Sequence, residues 1–245
     1  MTAPYILRAI RKSYGQRVAL ELEEAVFYPG HLYVLTGPNG SGKSTLLNML
    51  ALLLKPEQGQ LFFGDEEVTW SKAQLTALRK KITLVHQTPY LFTGSVSANV
   101  AYGLKLRGLR GEQVRERVTE SLKQVGLEGF ERRNAHQVSG GEGRRVALAR
   151  ALALQPEVLL LDEPLANLDQ ASAIIFERLI SSLPKQGTLV VVSTHDPRHA
   201  EQLGTAGIHL VNGRVDSQAT RYEEYSVRTD DENKIVCQPL TRPAT

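Results

Sequence analysis

The chain reads as an α/β protein built on a parallel sheet. Two runs, Val158-Leu159-Leu160-Leu161 and Leu189-Val190-Val191-Val192-Ser193, are apolar almost throughout. A strand covered by helices on both faces has no polar face with which to alternate. A third apolar run, Leu32-Tyr33-Val34-Leu35, leads into a glycine-rich turn and then into Ser44 to Leu54, which carries Leu, Met and Ala without Gly or Pro and is predicted helical. Strands that alternate with helices in this way define an α/β core.

The remaining elements follow in order. Residues 5–29 show short alternating runs (Tyr5-Ile6-Leu7, Val18 to Leu22, Ala25-Val26-Phe27) around Tyr14-Gly15-Gln16, predicting antiparallel strands ahead of the first core strand. Pro56 to Gly59 breaks the pattern, and Leu61-Phe62-Phe63-Gly64-Asp65 is a strand running into a turn. Trp70 to Lys81 has helical composition, and Ile82 to Val85 is a strand ending at His86-Gln87. Residues 91–155 are helix-forming, rich in Arg and Glu and poor in β-runs, with Gly94, Gly103, Gly108 and Gly126 as punctuation; they are predicted to be a helical insertion. Asn212-Gly213 between Leu210-Val211 and Val215 signals a hairpin. Residues 216–245 are polar, with a weak hairpin signal at Asp230 to Asn233 before a tail containing Pro239 and Pro243.

Composition sets bounds. With 245 residues, 42% apolar and 22% charged, the chain has ample core and ordinary globular composition. Its net charge of +3 is mild. The basic clusters Arg79-Lys80-Lys81, Arg107 to Arg117 and Arg144-Arg145 are expected to be solvated helix faces, because Glu112, Glu116 and Glu120 are interleaved, and no nucleic-acid partner is expected. The single Cys237 forms no internal disulfide and suits a reducing compartment. Arg8, Arg11 and Lys12 interrupt any signal-like run, and the longest apolar stretch, Leu46 to Leu54, is too short to span a bilayer. An intracellular chain that does not itself cross a membrane is the expectation.

The chemistry centres on Gly37-Pro38-Asn39-Gly40-Ser41-Gly42-Lys43-Ser44, which reads G-x-x-x-x-G-K-S between a strand and a helix. Backbone N–H groups and the positive end of a helix dipole converge there on an anion. Lys43 adds a point charge, and the Ser44 hydroxyl suits Mg²⁺. Asp162 and Glu163 follow a buried strand, at the carboxyl end where open α/β sheets bind ligands. One acid suits Mg²⁺, and its neighbour suits the orientation or deprotonation of a water. Ser139-Gly140-Gly141-Glu142 is a capping box at a helix start; the Gly pair leaves open whether that start also offers N–H groups to an anion. His195 and His199 have the spacing of a helical metal pair. Pro197 as first helical residue, with Asp196 as its cap, puts His195 outside the helix, so a polar contact to phosphate fits better than zinc.

In that order the motifs resemble one family, the ATP-binding subunits of ABC transporters, from about Tyr5 to Val215. Gly37 to Thr45 matches its P-loop, Gln87 the Q-loop, Val138 to Glu142 the signature, and Leu159 to Glu163 the acidic strand. Ala166-Asn167-Leu168-Asp169 matches the D-loop and His195 the switch histidine. The signature usually begins with Leu and ends with Gln, where Val138 and Glu142 stand here; Glu142 keeps the capping box. The resemblance implies a P-loop NTPase (RecA-like) core with an N-terminal antiparallel β-subdomain and an inserted helical subdomain. Residues 1–215 would form the ATPase domain, with the core and β-subdomain in 1–90 and 156–215 and the helical subdomain in 91–155. Residues 216–245 would be a short polar extension.

It also implies roles. Tyr14 would stack on adenine beside Val18, and Lys43 would hold the β- and γ-phosphates. Ser44, Gln87 and Asp162 would arrange Mg²⁺, Glu163 would polarise the attacking water, and His195 would contact the γ-phosphate. Gly37 to Thr45 and Asp169 would line the nucleotide, and Ser139, Gly140, Gly141 and Glu142 would close over ATP held by a second copy in a head-to-tail homodimer. The partners implied are integral membrane permease subunits and, indirectly, a substrate-binding protein, with this chain peripheral at the cytoplasmic face of the cell membrane. The run from Thr83 to Leu104 looks like the tungstate-type oxyanion importers, with phosphate and amino-acid importers as rivals. Non-transport ABC ATPases and a small-molecule P-loop kinase are the alternatives. Repair ATPases need coiled-coil heptads absent here, translation ATPases usually have two cassettes, and a kinase would not need Ser139 to Gly141 or His195.

Overall fold

The computed structural model describes residues 5–166, 168–203, 206–216, 225–229 and 234–239. Instead of several short runs, the first strands are two long ones, β1 (Tyr5–Tyr14) and β2 (Arg17–Phe27), paired antiparallel from Tyr5↔Phe27 to Tyr14↔Arg17 around Gly15. Their alternation is broken within the strand, where Ala9 takes a φ of 47°. β3 (Leu32–Thr36) then enters the centre of the molecule and is followed by α1 (Lys43–Leu50). This helix is shorter than its composition predicts. Leu52 turns to φ 57°, Leu53 and Leu54 fold back onto the Asn48 carbonyl at 2.9 and 3.2 Å, and Arg79 caps the Leu52 carbonyl at 2.6 Å.

β4 (Gln58–Phe63) begins before the predicted position and includes Gly59, whose glycine suggested a break. Gly59 lies across from the Ala9 irregularity of β1 at φ 91°, and a Cβ there would sit 2.3 Å from the Ala9 carbonyl oxygen. It is a strand glycine required by close backbone approach. The two-residue β5 (Glu66–Glu67) pairs with β4. α2 (Lys72–Leu78) starts after Trp70 at φ 60°, with the Ser71 side chain accepting from Gln74 N, so it is shorter than the predicted helix.

β6 (Ile82–Val85) leads into α3 (Val96–Leu106), α4 (Gly111–Gln124) and α5 (Gly140–Leu152). The rest alternates: β7 (Val158–Asp162), α6 (Gln170–Ser182), β8 (Leu189–Ser193), α7 (Pro197–Leu203), β9 (Ala206–Val211) and β10 (Arg214–Val215). The sheet order is β10-β9-β3-β8-β7-β6, and the pairings from β9 through β6 are all parallel. Alternate residues of these strands join different cores. Tyr33, Leu35, Leu160 and Val191 pack with α1, β1 and β2, whereas Val34, Leu159, Leu161, Val190 and Val192 pack with α3 to α6. That division explains why the strands read as unbroken apolar runs.

The Asn212-Gly213 hairpin forms as predicted, with φ of 50° and 81° at its two turn residues. The weak C-terminal hairpin signal falls on Asp230 to Asn233, which lie outside the described residues. Its flanks, β11 (Tyr225–Thr229) and β12 (Lys234–Pro239), pair antiparallel, and β12 runs parallel to β2, with β11 at the edge of the first sheet.

The basic clusters are solvated in part, with Lys80, Lys81, Arg110 and Arg115 exposed and Arg115 paired with Glu112, but some of their arginines bond backbone carbonyls. Arg79 and Arg107 cap carbonyls, the latter through a 2.7 Å bond to Leu154 O, and Arg144 donates to Ala166 O. No helix among the described residues is long and apolar enough to cross a membrane.

Candidate functional site

The strand-to-helix turn after β3 is shaped by glycine. Gly37, Gly40 and Gly42 take φ of 133°, 76° and 112°. A Cβ would meet Leu210 O at 2.1 Å on Gly37 and Ala19 O at 2.6 Å on Gly42, so both positions exclude larger residues by contact as well as by conformation. Gly42 is the N-cap of α1 and supplies no side chain, leaving the first helical N–H groups uncovered. The loop is held from outside. Gly213 N donates to Ser41 O at 2.9 Å, Glu21 N donates to Gly213 O at 2.8 Å, and Arg17 Nη2 donates to Gly40 O at 2.7 Å.

Lys43 is buried and curls over the loop, its Nζ donating to Gly37 O at 2.7 Å and Pro38 O at 3.1 Å. Burial lowers its ammonium pKa; Glu163 and Asp162 pull it back upward. Next to it, Ser44 Oγ donates to Asp162 Oδ2 at 3.0 Å. The other Asp162 oxygen accepts from Ser193 Oγ at 2.6 Å. A hydroxyl and a carboxylate, both hard oxygen donors, fit Mg²⁺, which takes few protein ligands and completes its shell with water and phosphate oxygens. Gln87, two residues beyond β6, has its Nε2 directed at Glu163.

Glu163 is the focus of the acidic side. Its φ of 47° is a left-handed conformation that costs a side-chain-bearing residue on the order of 1–3 kcal/mol. The backbone is held by Ser193, whose Oγ and O both accept from Glu163 N at 3.0 and 3.2 Å. The carboxylate is held by two side chains: Gln87 Nε2 donates to Oε2 at 3.1 Å, and His195 Nδ1 lies 2.9 Å from Oε1. His195 sits between β8 and α7, outside the helix, while Asp196 Oδ1 accepts from Arg198 N at 2.9 Å. Arg198 holds the Asp196 carboxyl far below the usual carboxylate range.

One cleft of about 360 Å³ is lined by Tyr14, Asn39, Gly40, Gly42, Lys43, Ser44, Thr45, Gln87, Asp162 and Glu163; His195 and Ser193 do not line it and contact its acidic side through Glu163 and Asp162. Arg17 and Ala19, which sequence reasoning did not single out, line it as well. Val18 is half-buried and does not line it; in β2, Ala19 is the one turned toward the cleft. Tyr14 is exposed, with Lys12 Nζ 5.5 Å from its ring centroid. Gly37, Pro38 and Ser41 form the loop without lining the cleft.

Ser139 to Glu142 stand apart from it. Ser139 caps α5, with Glu142 N donating to Ser139 Oγ at 3.2 Å and Ser139 N donating to Glu142 Oε2 at 2.7 Å. The Ser139 bond, and then Arg133 and Arg145, hold the Glu142 carboxyl below its ordinary range. A Cβ on Gly141 would lie 3.4 Å from Asp169 Oδ2, so the start of α5 faces Asp169, which caps α6 through Ser172 N at 2.9 Å. Asn167, between the two acidic motifs, lies outside the described residues. Nothing local marks Ser193 or Arg17 in sequence; the first is a strand-end serine one strand away from Asp162, and the second follows the Gly15 turn.

Comparison with known proteins places these motifs in context. Residues 13–166 match the family profile described as ABC transporter. The chain is 39% identical over 79% of its length to the energy-coupling factor transporter ATP-binding protein EcfA of Methanothermobacter thermautotrophicus. It is 38% identical over 90% of its length to the Fe(3+) ions import ATP-binding protein FbpC 1 of Haemophilus influenzae. Those alignments span 63% and 66% of the two relatives' own lengths. A solved ATP-binding cassette, dimeric and in a post-hydrolysis state bound to ADP and Pi, matches with a TM-score of 0.81 and 33% identity, covering 89% of this chain and 98% of that one.

Proposed function

This chain belongs to the ABC transporter family as an ATP-binding subunit, and we propose that it hydrolyses ATP to drive import through separate membrane subunits. One observation carries the proposal. Lys43, the Ser44–Asp162 pair and the Gln87–Glu163 pair line one cleft at the carboxyl ends of parallel strands, and His195 joins them through Glu163, so that four distant stretches meet there. Residues 1–215 form the ATPase domain in this proposal, with 91–155 as its helical subdomain and 216–245 as an extension.

Each residue has a task. The N–H groups at the start of α1, Gly42 to Ser44, receive the phosphates, and Lys43 exchanges its carbonyl partners for phosphate oxygens. Tyr14 offers its open ring face to adenine. Ser44 and Asp162 hold Mg²⁺, with Gln87 beside them. The ion supplies charge neutralisation for the β- and γ-phosphates. Glu163 accepts a hydrogen bond from the attacking water once Gln87 or His195 releases one of its oxygens, and His195 then faces the γ-phosphate. Ser139 to Glu142 are outside the chain's own cleft, which supports their acting in trans on the ATP of a second copy.

The membrane partner is proposed to dock beside Gln87. Tyr90, Phe92 and Tyr102 form an exposed aromatic cluster there, with ring centroids 5.7 and 4.5 Å apart along the series. Arg150 lies 5.2 Å from the Phe92 ring. Exposed aromatics with a cation beneath them fit a protein interface. On this proposal the chain sits peripherally at the cytoplasmic face of the membrane. The solute we propose is a tungstate-type oxyanion, on the Thr83–Leu104 resemblance; the relatives above are named for Fe(3+) import and for energy-coupling factor transport. ATPase stimulation by tungstate, phosphate or Fe(3+) with the cognate binding protein and permease discriminates among them.

Glu163→Gln tests the core assignment. Turnover is expected to fall by about 10² to 10⁴, while ATP binding persists and a stable dimer accumulates on size exclusion with ATP. Phosphate release at the wild-type rate would sink the assignment.

A further inference from the structure

α5 touches the loop that carries Glu163 at two points. At its start, the place of a Gly141 Cβ lies 3.4 Å from Asp169 Oδ2 and 3.7 Å from Ser172 Oγ. One turn later, Arg144 Nη1 donates to the Ala166 carbonyl oxygen. Ala166 N in turn donates to Glu163 O at 3.3 Å, closing a tight turn directly after the residue with the left-handed backbone. Arg144 is half-buried, with its charge spent on a backbone carbonyl; no carboxylate pairs with it among the ion pairs of the described residues. A guanidinium placed this way fixes both distance and direction of the carbonyl it holds.

The first turn of α5 is closed by its capping box, since Ser139 and Glu142 satisfy each other's backbone groups there. A displacement of Ser139 to Glu142 that the helix carries as one body would reach Arg144, from there Ala166, and through the closed turn Glu163. We infer that Arg144 is a positioning residue that sets Glu163 according to what the start of α5 has bound. The inference rests on the head-to-tail dimer proposed above: ATP on the partner's P-loop draws in Ser139 to Glu142 of this chain, and Arg144 then pulls this chain's own Glu163 into line. Each site would thus be licensed by the nucleotide of the other.

The test uses the full chain with Arg144→Ala and Arg144→Lys. Steady-state ATPase against ATP concentration reads kcat, KM and the Hill coefficient; a fluorescent ATP analogue reads affinity, and thermal melting reads stability. Arg144→Ala is expected to lower kcat by about tenfold to a hundredfold, the scale of an ångström of misplacement. KM should stay within about twofold, because binding to the P-loop is untouched, and the Hill coefficient should fall toward unity. Arg144→Lys should regain part of kcat, since an ammonium on a long stem still reaches the carbonyl. Unchanged kcat and cooperativity in Arg144→Ala overturn the inference. So does a joint fall of kcat, affinity and melting temperature that Arg144→Lys does not relieve, which marks a structural role alone. A wild type that turns over ATP without cooperativity, together with a Glu163→Gln variant that stays monomeric on ATP, overturns the dimer and this inference with it. A cooperative wild type with an equally cooperative Arg144→Ala overturns this inference alone.

Discussion

α1 begins at Gly42, in the left-handed region and with no side chain over its first turn, whereas α5 begins at Ser139 with a complete capping box. Both are helix starts preceded or formed by glycine, and both carry the positive end of a dipole. They differ in what occupies the donors. At α1 no side chain caps the first turn, and the Lys43 ammonium is turned onto Gly37 O and Pro38 O. At α5 two donors, Ser139 N and Glu142 N, are already engaged by the chain's own Glu142 and Ser139. The first start leaves its donors to a ligand; the second meets part of its own need. On the function proposed above, that is the difference expected between a start that holds nucleotide and one that meets it from a second copy.

The contrast is broken most severely at α1. Lys43→Ala removes a charged donor worth about 1.5–3 kcal/mol, so ATP affinity should fall by about tenfold to a hundredfold; undiminished binding of a fluorescent ATP analogue would count against the cradle. At α5 the same kind of deletion should act on stability before it acts on binding. Ser139→Ala removes the cap at a cost of about 1 kcal/mol, lowering the melting temperature by about 2–4 °C, with nucleotide affinity at the P-loop unaltered. A melting temperature equal to wild type would show that the box contributes nothing.

Glu142→Gln sharpens the comparison without breaking it. The amide keeps an acceptor for Ser139 N and removes a negative charge from the helix start that, on the function proposed above, would meet phosphate. ATP-dependent dimerisation of the Glu163→Gln background should tighten by about twofold to fivefold, the scale of a charge at a helix terminus. Weaker dimerisation would show that the carboxylate is wanted there. The smallest effect is in acid. Because the Glu142 carboxyl titrates below its ordinary value when folded, its contribution is fully present above the unfolded pKa of about 4.3 and is lost as pH falls through the lower folded value. The stability gap between wild type and Glu142→Gln, a few tenths to about 1 kcal/mol near neutrality, should therefore close in that window and not above it. A constant gap down to pH 3 would exclude the carboxylate as its source.

The α1 start was legible in sequence because everything that makes it is local: strand, glycines, lysine and helix occupy one stretch. The parallel strands were legible for a similar reason, since covering both faces removes alternation. What escaped was non-local. Ser193 holds Asp162 and the Glu163 backbone from the neighbouring strand, yet in sequence it is only the polar end of an apolar run. Gly59 punctuated a predicted strand because its partner, the Ala9 irregularity, lies on β1. Composition makes α1 too long because nothing in Ser44 to Leu54 announces the left-handed Leu52, whose carbonyl Arg79 bonds from a distant stretch. Arg144 looked like part of a solvated basic pair because a carbonyl acceptor leaves no trace in a sequence.

The bond from Gly213 to Ser41 has a consequence for how the molecule is made. Residues 37–44 contain the whole nucleotide motif, but the turn that props the loop, and that also bonds Glu21 of β2, emerges from the ribosome far later. A chain released before Asn212 would contain the complete fingerprint and a loop held by Arg17 but without its Gly213 prop. On the function proposed above, the fully supported loop is expected only near the end of synthesis and not when the motif appears, so a chain truncated before Asn212 should bind ATP more weakly than the full chain in a titration with a fluorescent ATP analogue. Contacts of such long sequence separation form late and slowly, and here the delay falls on the one loop that should not act early.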